Sequence, residues 1–105
     1  MPRLDDLMVG LAGFEWDAGN ATKNWERHRV TQAEAEEAFF NRPVFLAEAR
    51  SATHERRYNV LGRSNSDRLL SVVFTIRRGL ARVISARPMS RKERNGYAEV
   101  PPEEP

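Results

Sequence analysis

The chain has 105 residues, of which 40% are hydrophobic and 30% are charged, and it contains no cysteine. This length supports one domain with one hydrophobic core, and the composition is typical of globular proteins rather than of disordered or membrane proteins. The lack of cysteine excludes disulfides, thiolate metal sites and cysteine nucleophiles. The N-terminus has neither the basic start nor the long apolar segment of a secretion signal, so we expect a cytoplasmic protein.

Charge is distributed unevenly along the chain. Residues 1–48 hold five basic and nine acidic side chains, whereas residues 49–105 hold twelve basic and six acidic ones. Fifteen of the seventeen cations are arginine, which binds phosphate through two parallel hydrogen bonds and stacks on bases. The second half therefore predicts a polyanionic or acidic partner, and a solvated surface of salt bridges is the equally weighted alternative.

A short strand and two helices are predicted for the first 40 residues. Residues 13–17 alternate apolar and polar side chains, and Asp17 is placed to cap a helix over residues 18–28. Thr31 and Glu34 form a capping box that begins a second helix over residues 32–40. The residues that this helix is expected to bury are Ala35, Ala38 and Phe39.

The period of the apolar residues changes from helical to alternating beyond Pro43. Four strands are predicted, over residues 44–46, 57–62, 69–76 and 80–86, and the third reads LLSVVFTI, which favours a strand covered on both faces. Arg78 and Gly79 predict the turn of a hairpin. Ser90 and Glu93 form a second capping box, which predicts a helix to about residue 98.

Together these elements predict an α+β fold, with two N-terminal helices packed on one face of a curved antiparallel sheet and a short C-terminal helix. We expect an N-terminal extension over residues 1–12, a single domain over 13–99 and a disordered tail over 100–105. The other face of the sheet is then solvent or a site. Arg57, Asn59 and Arg63 are expected on one side of their strand, and Arg82 on the side opposite Val83, Ser85 and Arg87.

The side chains available for chemistry are cations, a few carboxylates, two histidines and a tyrosine. His28 and His54 lie far apart without the spacing of a metal site, and no glycine-rich phosphate loop is present. The set fits a metal-free ribonuclease, in which the 2′-hydroxyl of RNA attacks the adjacent phosphate. Such an enzyme needs a general base, a general acid and cations that stabilise the charge developing in the transition state.

Four of these residues have contrasting interpretations. His28 is favoured as a structural residue at a helix C-terminus, and Tyr97 slightly as an anchor of the last helix. Glu55, beside Arg56 and Arg57, is divided evenly between a salt-bridged loop carboxylate and a catalytic group. Arg87 leaves an apolar strand just before a proline and is interpreted as functional.

Motifs spread along the chain resemble one known family. They are FEWD at residues 14–17, Asn24 with Arg27 and His28, Glu55 with Arg57, Tyr58 and Gly62, the strand RLLSVVFT, ISAR at residues 84–87, and Arg91 with Glu93, Arg94 and Tyr97. Each motif is weak, but their combined order and spacing over residues 13–99 is similar to the BrnT toxins of type II toxin–antitoxin modules.

The resemblance implies a RelE-like fold and a metal-independent ribonuclease that inhibits translation and needs no cofactor. It also implies a BrnA-type antitoxin with a ribbon-helix-helix part, through which the toxin would contact DNA indirectly. The candidate catalytic residues are Glu55, Arg57, Arg87, Arg91, Tyr97 and His28, and the candidate RNA-binding residues are Lys23, Arg27, Arg63, Arg82 and Arg94. Arg87, Arg91 and Arg94 are expected around one RNA phosphate.

Two positions depart from the family pattern. Asn20 stands where a lysine is usual, with Lys23 one turn further, and Arg29 follows the histidine where glycine is usual. If Arg29 adopts a left-handed conformation, it costs on the order of 1 kcal/mol relative to glycine. These departures predict a weakened ribonuclease activity and leave a second hypothesis open, a catalytically weak or inactive binding module that acts through an antitoxin or nucleic acid. A DNA-binding repressor has less support, because no helix-turn-helix or ribbon pattern is visible.

Overall fold

The computed structural model describes residues 10–47 and 55–100. Most of the expected N-terminal extension, His54 and residues 101–105 of the expected tail lie outside these ranges. The described residues form the strands β1 (Gly13–Glu15), β2 (Val44–Ala47), β3 (Arg57–Arg63), β4 (Leu69–Arg77) and β5 (Leu80–Pro88), and the helices α1 (Lys23–His28), α2 (Gln32–Glu37) and α3 (Arg91–Glu99). The α+β class is therefore confirmed, with β1 placed ahead of the two N-terminal helices.

The strands form one sheet in the order β1-β5-β4-β3-β2. All neighbouring pairs are antiparallel except β1 and β5, which run parallel, so the sheet is mixed and the expectation of an antiparallel sheet is wrong at this edge. The chain leaves β1 at one edge, passes through α1 and α2, and returns at β2 on the opposite edge. Alternation of side chains predicts that a segment is a strand but not which neighbour it joins or in which direction.

One face of the sheet carries the main core, and we call it the helix face. Ala35, Ala38 and Phe39 are buried there, as predicted, and the Phe39 ring lies 4.9 Å from Phe14 and 4.8 Å from Phe74 between ring centroids. The other buried residues of this cluster are Val30, Tyr58, Val60, Leu70, Val72, Phe74, Ala81, Val83 and Ala86. Burial of such apolar side chains stabilises the fold by about 1.5–3 kcal/mol each when complete.

The opposite face, which we call the second face, is covered at one end by α3. Met89 and Tyr97 pack there against Leu61, together with Val44 and Leu69. The interpretation of Tyr97 as an anchor of the last helix is thus confirmed. Both capping boxes are also present, with Glu34 N bonded to Thr31 and Glu93 N bonded to Ser90. None of the helices in the described part of the chain is long and apolar enough to cross a membrane.

Helix boundaries differ from the sequence predictions at two points. α1 begins at Lys23 instead of residue 18, because Asp17 accepts a hydrogen bond from Gly19 N in a turn and does not cap a helix. α2 ends at Glu37, and residues 38–40 form a turn. The predicted hairpin turn is confirmed, since Arg78 and Gly79 both have positive φ, as a two-residue turn of this kind requires.

A β-bulge in β5 changes which side chains share a face. Val83 pairs with Phe74 and Ser85 pairs with Val73, so Ile84 is an extra residue between two paired positions. The alternation therefore shifts by one residue at Ile84. Val83 lies on the helix face, whereas Arg82 lies on the second face, so the prediction that Arg82 opposes Ser85 and Arg87 is wrong.

Candidate functional site

The second face of β3, β4 and β5 carries three rows of paired residues beside α3. The rows are Arg57–Thr75–Arg82, Asn59–Val73–Ser85 and Leu61–Ser71–Arg87. Sheet spacings place the Cα atoms of Arg57 and Arg87 roughly 16 Å apart, at opposite corners of this surface. The fold thus brings three predicted arginines to one face without bringing Arg57 into contact with Arg87.

A connected polar network lies at the Arg87 corner. Glu93 accepts hydrogen bonds from Arg87 through both oxygens, at 2.7 Å from Nη1 and 3.1 Å from Nη2. Ser71 Oγ donates to Glu93 Oε2 at 3.1 Å, and Asn59 Nδ2 donates to Ser71 Oγ at 3.1 Å. The network therefore runs from β3 across β4 to α3 and fixes the guanidinium of Arg87.

The charge state of Glu93 follows from this network. Burial alone would raise the pKa of its carboxyl group, but hydrogen bonds from Arg87, from Ser90 N and from Ser71 outweigh burial and lower the pKa to about 2. The same pair raises the pKa of Arg87. Both groups are consequently ionised at neutral pH, and Arg87 is electrostatically compensated.

The Arg57 corner holds a second set of charges. Glu55 accepts a hydrogen bond from Arg77 Nε at 2.9 Å, and this ion pair lowers the pKa of Glu55. The Nε of Arg57 is buried and has no hydrogen-bond partner within residues 10–47 and 55–100. A buried donor without an acceptor is uncommon in folded proteins, and Arg63 Nε is in the same situation in the described part of the chain.

Arg82 is held between β1 and the turn that follows it. Its Nη1 donates to Glu15 at 2.8 Å and to Asp17 at 2.7 Å, and its Nη2 donates to the other oxygen of Asp17 at 3.0 Å. The side chain is only 16% exposed. These contacts lower the pKa of Asp17 through the hydrogen bond from Arg82. The geometry therefore gives Arg82 a structural role in joining β1 to β5, and its predicted contact with RNA stays a prediction.

A pocket of about 220 Å³ lies between α1 and β5, and we call it the α1–β5 pocket. Three candidate residues of the sequence analysis line it, and these are Lys23, Arg27 and His28. The remaining lining residues are Asn24, Ile84 and Ser85. Because Ser85 and Arg87 are two residues apart on the same face of β5, the pocket adjoins the Arg87 network.

The other predicted residues lie around α3. Tyr97 is buried, its hydroxyl donates to the Arg42 carbonyl at 2.9 Å, and burial raises its pKa. Arg63 pairs with Asp67 at 2.7 Å, and Arg94 donates to the Met89 carbonyl at 3.0 Å. The exposed Arg91 begins α3. The contacts of these side chains differ from those of Arg87, and the grouping of Arg87, Arg91 and Arg94 around one RNA phosphate stays a prediction.

Two asparagines that the sequence analysis did not place in the site organise the free edge of β5. Asn20 is 4% exposed; its Nδ2 donates to the carbonyls of Glu15 and Val83, and its Oδ1 accepts from Asp17 N at 2.8 Å. Asn24 Oδ1 accepts from Ala86 N at 2.9 Å. These side chains replace the hydrogen bonds that a longer β1 would supply.

Glu93 and Ser71 were also missed as site residues. One signal was present, since Ser71 is a polar residue inside the otherwise apolar LLSVVFTI strand, and it is buried here beside Glu93. Among the residues that the structure describes, no group of three or more His, Asp or Glu side chains could hold a metal ion.

Comparison with known proteins adds one finding. The sequence model of the family described as "Ribonuclease toxin, BrnT, of type II toxin-antitoxin system" matches residues 16–93. No individual curated protein matches the chain. The matched range runs from the end of β1 to Glu93, so it includes the α1–β5 pocket and the Arg87 network.

Proposed function

The chain belongs to the BrnT family of ribonuclease toxins of type II toxin–antitoxin systems, and from this premise we propose that it cleaves RNA without a metal ion. The substrate's own 2′-hydroxyl would attack the adjacent phosphorus, and the 5′-oxygen of the next nucleotide would leave. The products are a 2′,3′-cyclic phosphate and a free 5′-hydroxyl. Translation stops because messenger RNA is cut, and the site of action is the cytoplasm.

The observation that carries this proposal is the fixed guanidinium of Arg87 beside the α1–β5 pocket. Glu93 accepts hydrogen bonds from Nη1 and Nη2 of Arg87, and the Pro88 carbonyl accepts a second hydrogen bond from Nη1. Nε–H and one hydrogen of Nη2 have no partner within the described ranges, and together they form a two-pronged edge that suits phosphate oxygens. A guanidinium held in place before substrate arrives can stabilise developing charge without reorganisation.

We assign the remaining roles from position and chemistry. His28, which lines the pocket together with Ser85, is the candidate general base, because a ring nitrogen of imidazole can accept a proton. Glu93 is a poor base with a pKa of about 2, so its role is to orient Arg87. Arg57 at one corner and Arg91 with Arg94 at the other would contact the flanking RNA. Glu55 stays a prediction as a catalytic residue. Tyr97 stays a prediction as a catalytic residue, and its hydroxyl would first have to release the Arg42 carbonyl.

The test is cleavage of a short RNA by the purified protein in EDTA, with the product ends identified by mass spectrometry. We expect cyclic phosphate ends, and no cleavage of an oligonucleotide with a 2′-deoxy sugar at the cut. Arg87→Ala should reduce the rate by at least 100-fold, whereas Arg78→Ala, which removes a cation from the hairpin turn at the far end of β5, should leave it within about twofold. Intact RNA under all conditions would remove the enzymatic proposal.

The second candidate function is a binding module without catalysis. The compensation of Arg87 by Glu93 favours it, because an ion pair of this quality can serve fold stability alone. The partner that we propose in either case is a BrnA-type ribbon-helix-helix antitoxin, through which the complex contacts DNA. If Arg87→Ala abolishes toxicity in cells and leaves antitoxin affinity unchanged, the binding-only function is refuted.

A further inference from the structure

Asn24 presents an unused donor at the α1–β5 pocket. The side chain belongs to a residue that is only 6% exposed, and Oδ1 is held by Ala86 N at 2.9 Å. This hydrogen bond determines which end of the carboxamide is the acceptor, so Nδ2 carries the two donor hydrogens. Nδ2 has no hydrogen-bond partner in the described part of the chain. Since Nδ2 is not buried in the way that the Nε atoms of Arg57 and Arg63 are, it is accessible from the pocket and can donate to an acceptor on a ligand.

Apart from Ile84, the other side chains of the pocket are also donors or cations. Lys23 and Arg27 stand four residues apart in α1, which places two positive charges side by side on one helix face. Ser85 adds a hydroxyl, and no carboxylate lines the pocket. Two adjacent like charges destabilise a helix slightly, and an anion bound between them would offset this repulsion. The donor set therefore selects an anion.

The dimensions of the pocket fit a nucleotide phosphate with part of its sugar. Its volume of about 220 Å³ corresponds to roughly seven water molecules at about 30 Å³ each, which is more than a bare phosphate group needs. Ser85 lies two residues from Arg87 on the same face of β5, which is roughly 6.6 Å along the strand. A second phosphate of the same extended RNA chain can therefore reach the pocket while the first contacts Arg87.

We propose that the α1–β5 pocket is a phosphate subsite, in which Asn24 Nδ2, Ser85 Oγ, Lys23 and Arg27 bind the phosphate adjacent to the one that is cleaved. This assignment of the phosphate to RNA rests on the proposed ribonuclease function, whereas the anion site itself does not. The subsite sets the register of the RNA relative to Arg87. Asn24 acts here as a neutral donor whose direction is fixed by the sheet edge.

The test measures binding and not cleavage. Asn24→Asp keeps an oxygen acceptor for Ala86 N and replaces the two donor hydrogens with a negatively charged oxygen, while Asn95→Asp makes the same change on the exposed part of α3. Calorimetry or NMR titration would use inorganic phosphate and an uncleavable 2′-O-methyl RNA tetranucleotide. We expect Asn24→Asp to weaken both affinities by at least tenfold and Asn95→Asp by less than twofold. A tetranucleotide with a neutral methylphosphonate backbone should bind wild type and Asn24→Asp alike.

Each outcome decides between the subsite and its alternatives. Equal phosphate affinity of wild type and a folded Asn24→Asp, or no phosphate binding by wild type, overturns the subsite. Phosphate binding that depends on Asn24, together with RNA binding that does not, overturns the assignment to RNA and leaves a free-phosphate site. If circular dichroism shows that Asn24→Asp is unfolded, Ser85→Ala decides, with an expected three- to fivefold loss of phosphate affinity. Failure of the cleavage assay would remove the ribonuclease function, but it would leave these binding measurements and the anion site unchanged.

Discussion

Replacement of Gly62 by alanine should push the end of α2 away from the sheet and destabilise the fold. Gly62 lies on the helix face of β3, where the end of α2 comes into backbone contact with it. A Cβ atom at this position would lie 2.0 Å from the Ala38 carbonyl oxygen, 2.8 Å from its carbon and 2.9 Å from its Cα. All three atoms belong to the main chain, so no side-chain rotation relieves the overlap.

The expected loss of stability follows from the displacement. Carbon–oxygen contacts settle near 3.3 Å, so the end of α2 must move away from β3 by roughly 1.3 Å. Overpacking of this kind costs about 1–3 kcal/mol. The movement also disturbs Phe39, whose ring contacts with Phe14 and Phe74 contribute about 0.5–1.5 kcal/mol each beyond their buried area. We therefore expect Gly62→Ala to lower the free energy of unfolding by about 3 kcal/mol or more, which is a large part of a typical total of about 5–15 kcal/mol.

Gly96→Ala is the matched control, because nothing lies within 4 Å of the Cβ position of Gly96 in α3. Alanine there should stabilise the helix by about 0.5–1 kcal/mol. Urea denaturation followed by tryptophan fluorescence measures both variants, and equal m-values would show that the unfolded states are comparable. If the two substitutions change stability with the same sign, or if Gly62→Ala lies within 1 kcal/mol of wild type, the backbone contact does not support the fold as described.

Three further predictions concern residues around the site. Arg29 has φ 54°, and its guanidinium lies 5.1 Å from the Trp25 ring centroid. Arg29→Gly should leave stability nearly unchanged, because relief of backbone strain by about 1 kcal/mol offsets the loss of a cation–π contact of similar size. Arg29→Ala keeps the strain and loses the contact, so urea melts should show it about 1 kcal/mol less stable than Arg29→Gly. Asn20→Ala should lose about 3 kcal/mol, because three hydrogen bonds to backbone groups disappear; a loss like that of exposed Asn95→Ala would contradict this. Glu93 has a folded-state pKa of about 2 against an ordinary 4.5, so its charge stabilises the fold above pH 4.5 and this contribution is lost as pH falls toward 2. Glu93→Gln keeps the capping box, and between pH 5 and pH 2 it should lose less stability than wild type by on the order of 2 kcal/mol. If the stabilities of the two proteins fall in parallel over this range, the low pKa assigned to Glu93 is wrong.

Local signals in the sequence predicted most of the elements, and long-range contacts decided the rest. The capping boxes at Thr31 and Ser90 and the turn at residues 78–79 depend on neighbouring residues alone, and all three were correct. The start of α1 was wrong because the buried Asn20 accepts from Asp17 N and donates across to Val83, which keeps the preceding residues in a turn. That contact joins residues 63 positions apart, and no periodicity encodes it.

The candidate site shows the same division. Arg57, Asn59 and Arg63 were predicted on one side of β3, and this is correct because alternation is a local property of a strand without a bulge, whereas β5 carries a bulge at Ile84. The same bulge reversed the predicted side of Arg82. The partners of Arg87 could not be predicted, because Glu93 satisfies a capping box by itself and gives no sign in the sequence that its carboxylate also binds an arginine. Sequence patterns thus locate the cations, and tertiary contacts determine which of them remain uncompensated.

Asn20 and Arg29, the two positions that the sequence analysis contrasts with the family pattern, both act on the placement of α1. Asn20 is buried between β1 and β5, where its amide makes three hydrogen bonds to backbone groups, so it has a structural role at this position. The α1–β5 pocket still has Lys23 and Arg27. Arg29 ends α1 in a left-handed conformation and holds Trp25, which fixes the end of the helix that carries His28. A change at Asn20 or Arg29 therefore alters the position of His28 relative to Arg87, and through that distance the rate of any reaction that needs both groups.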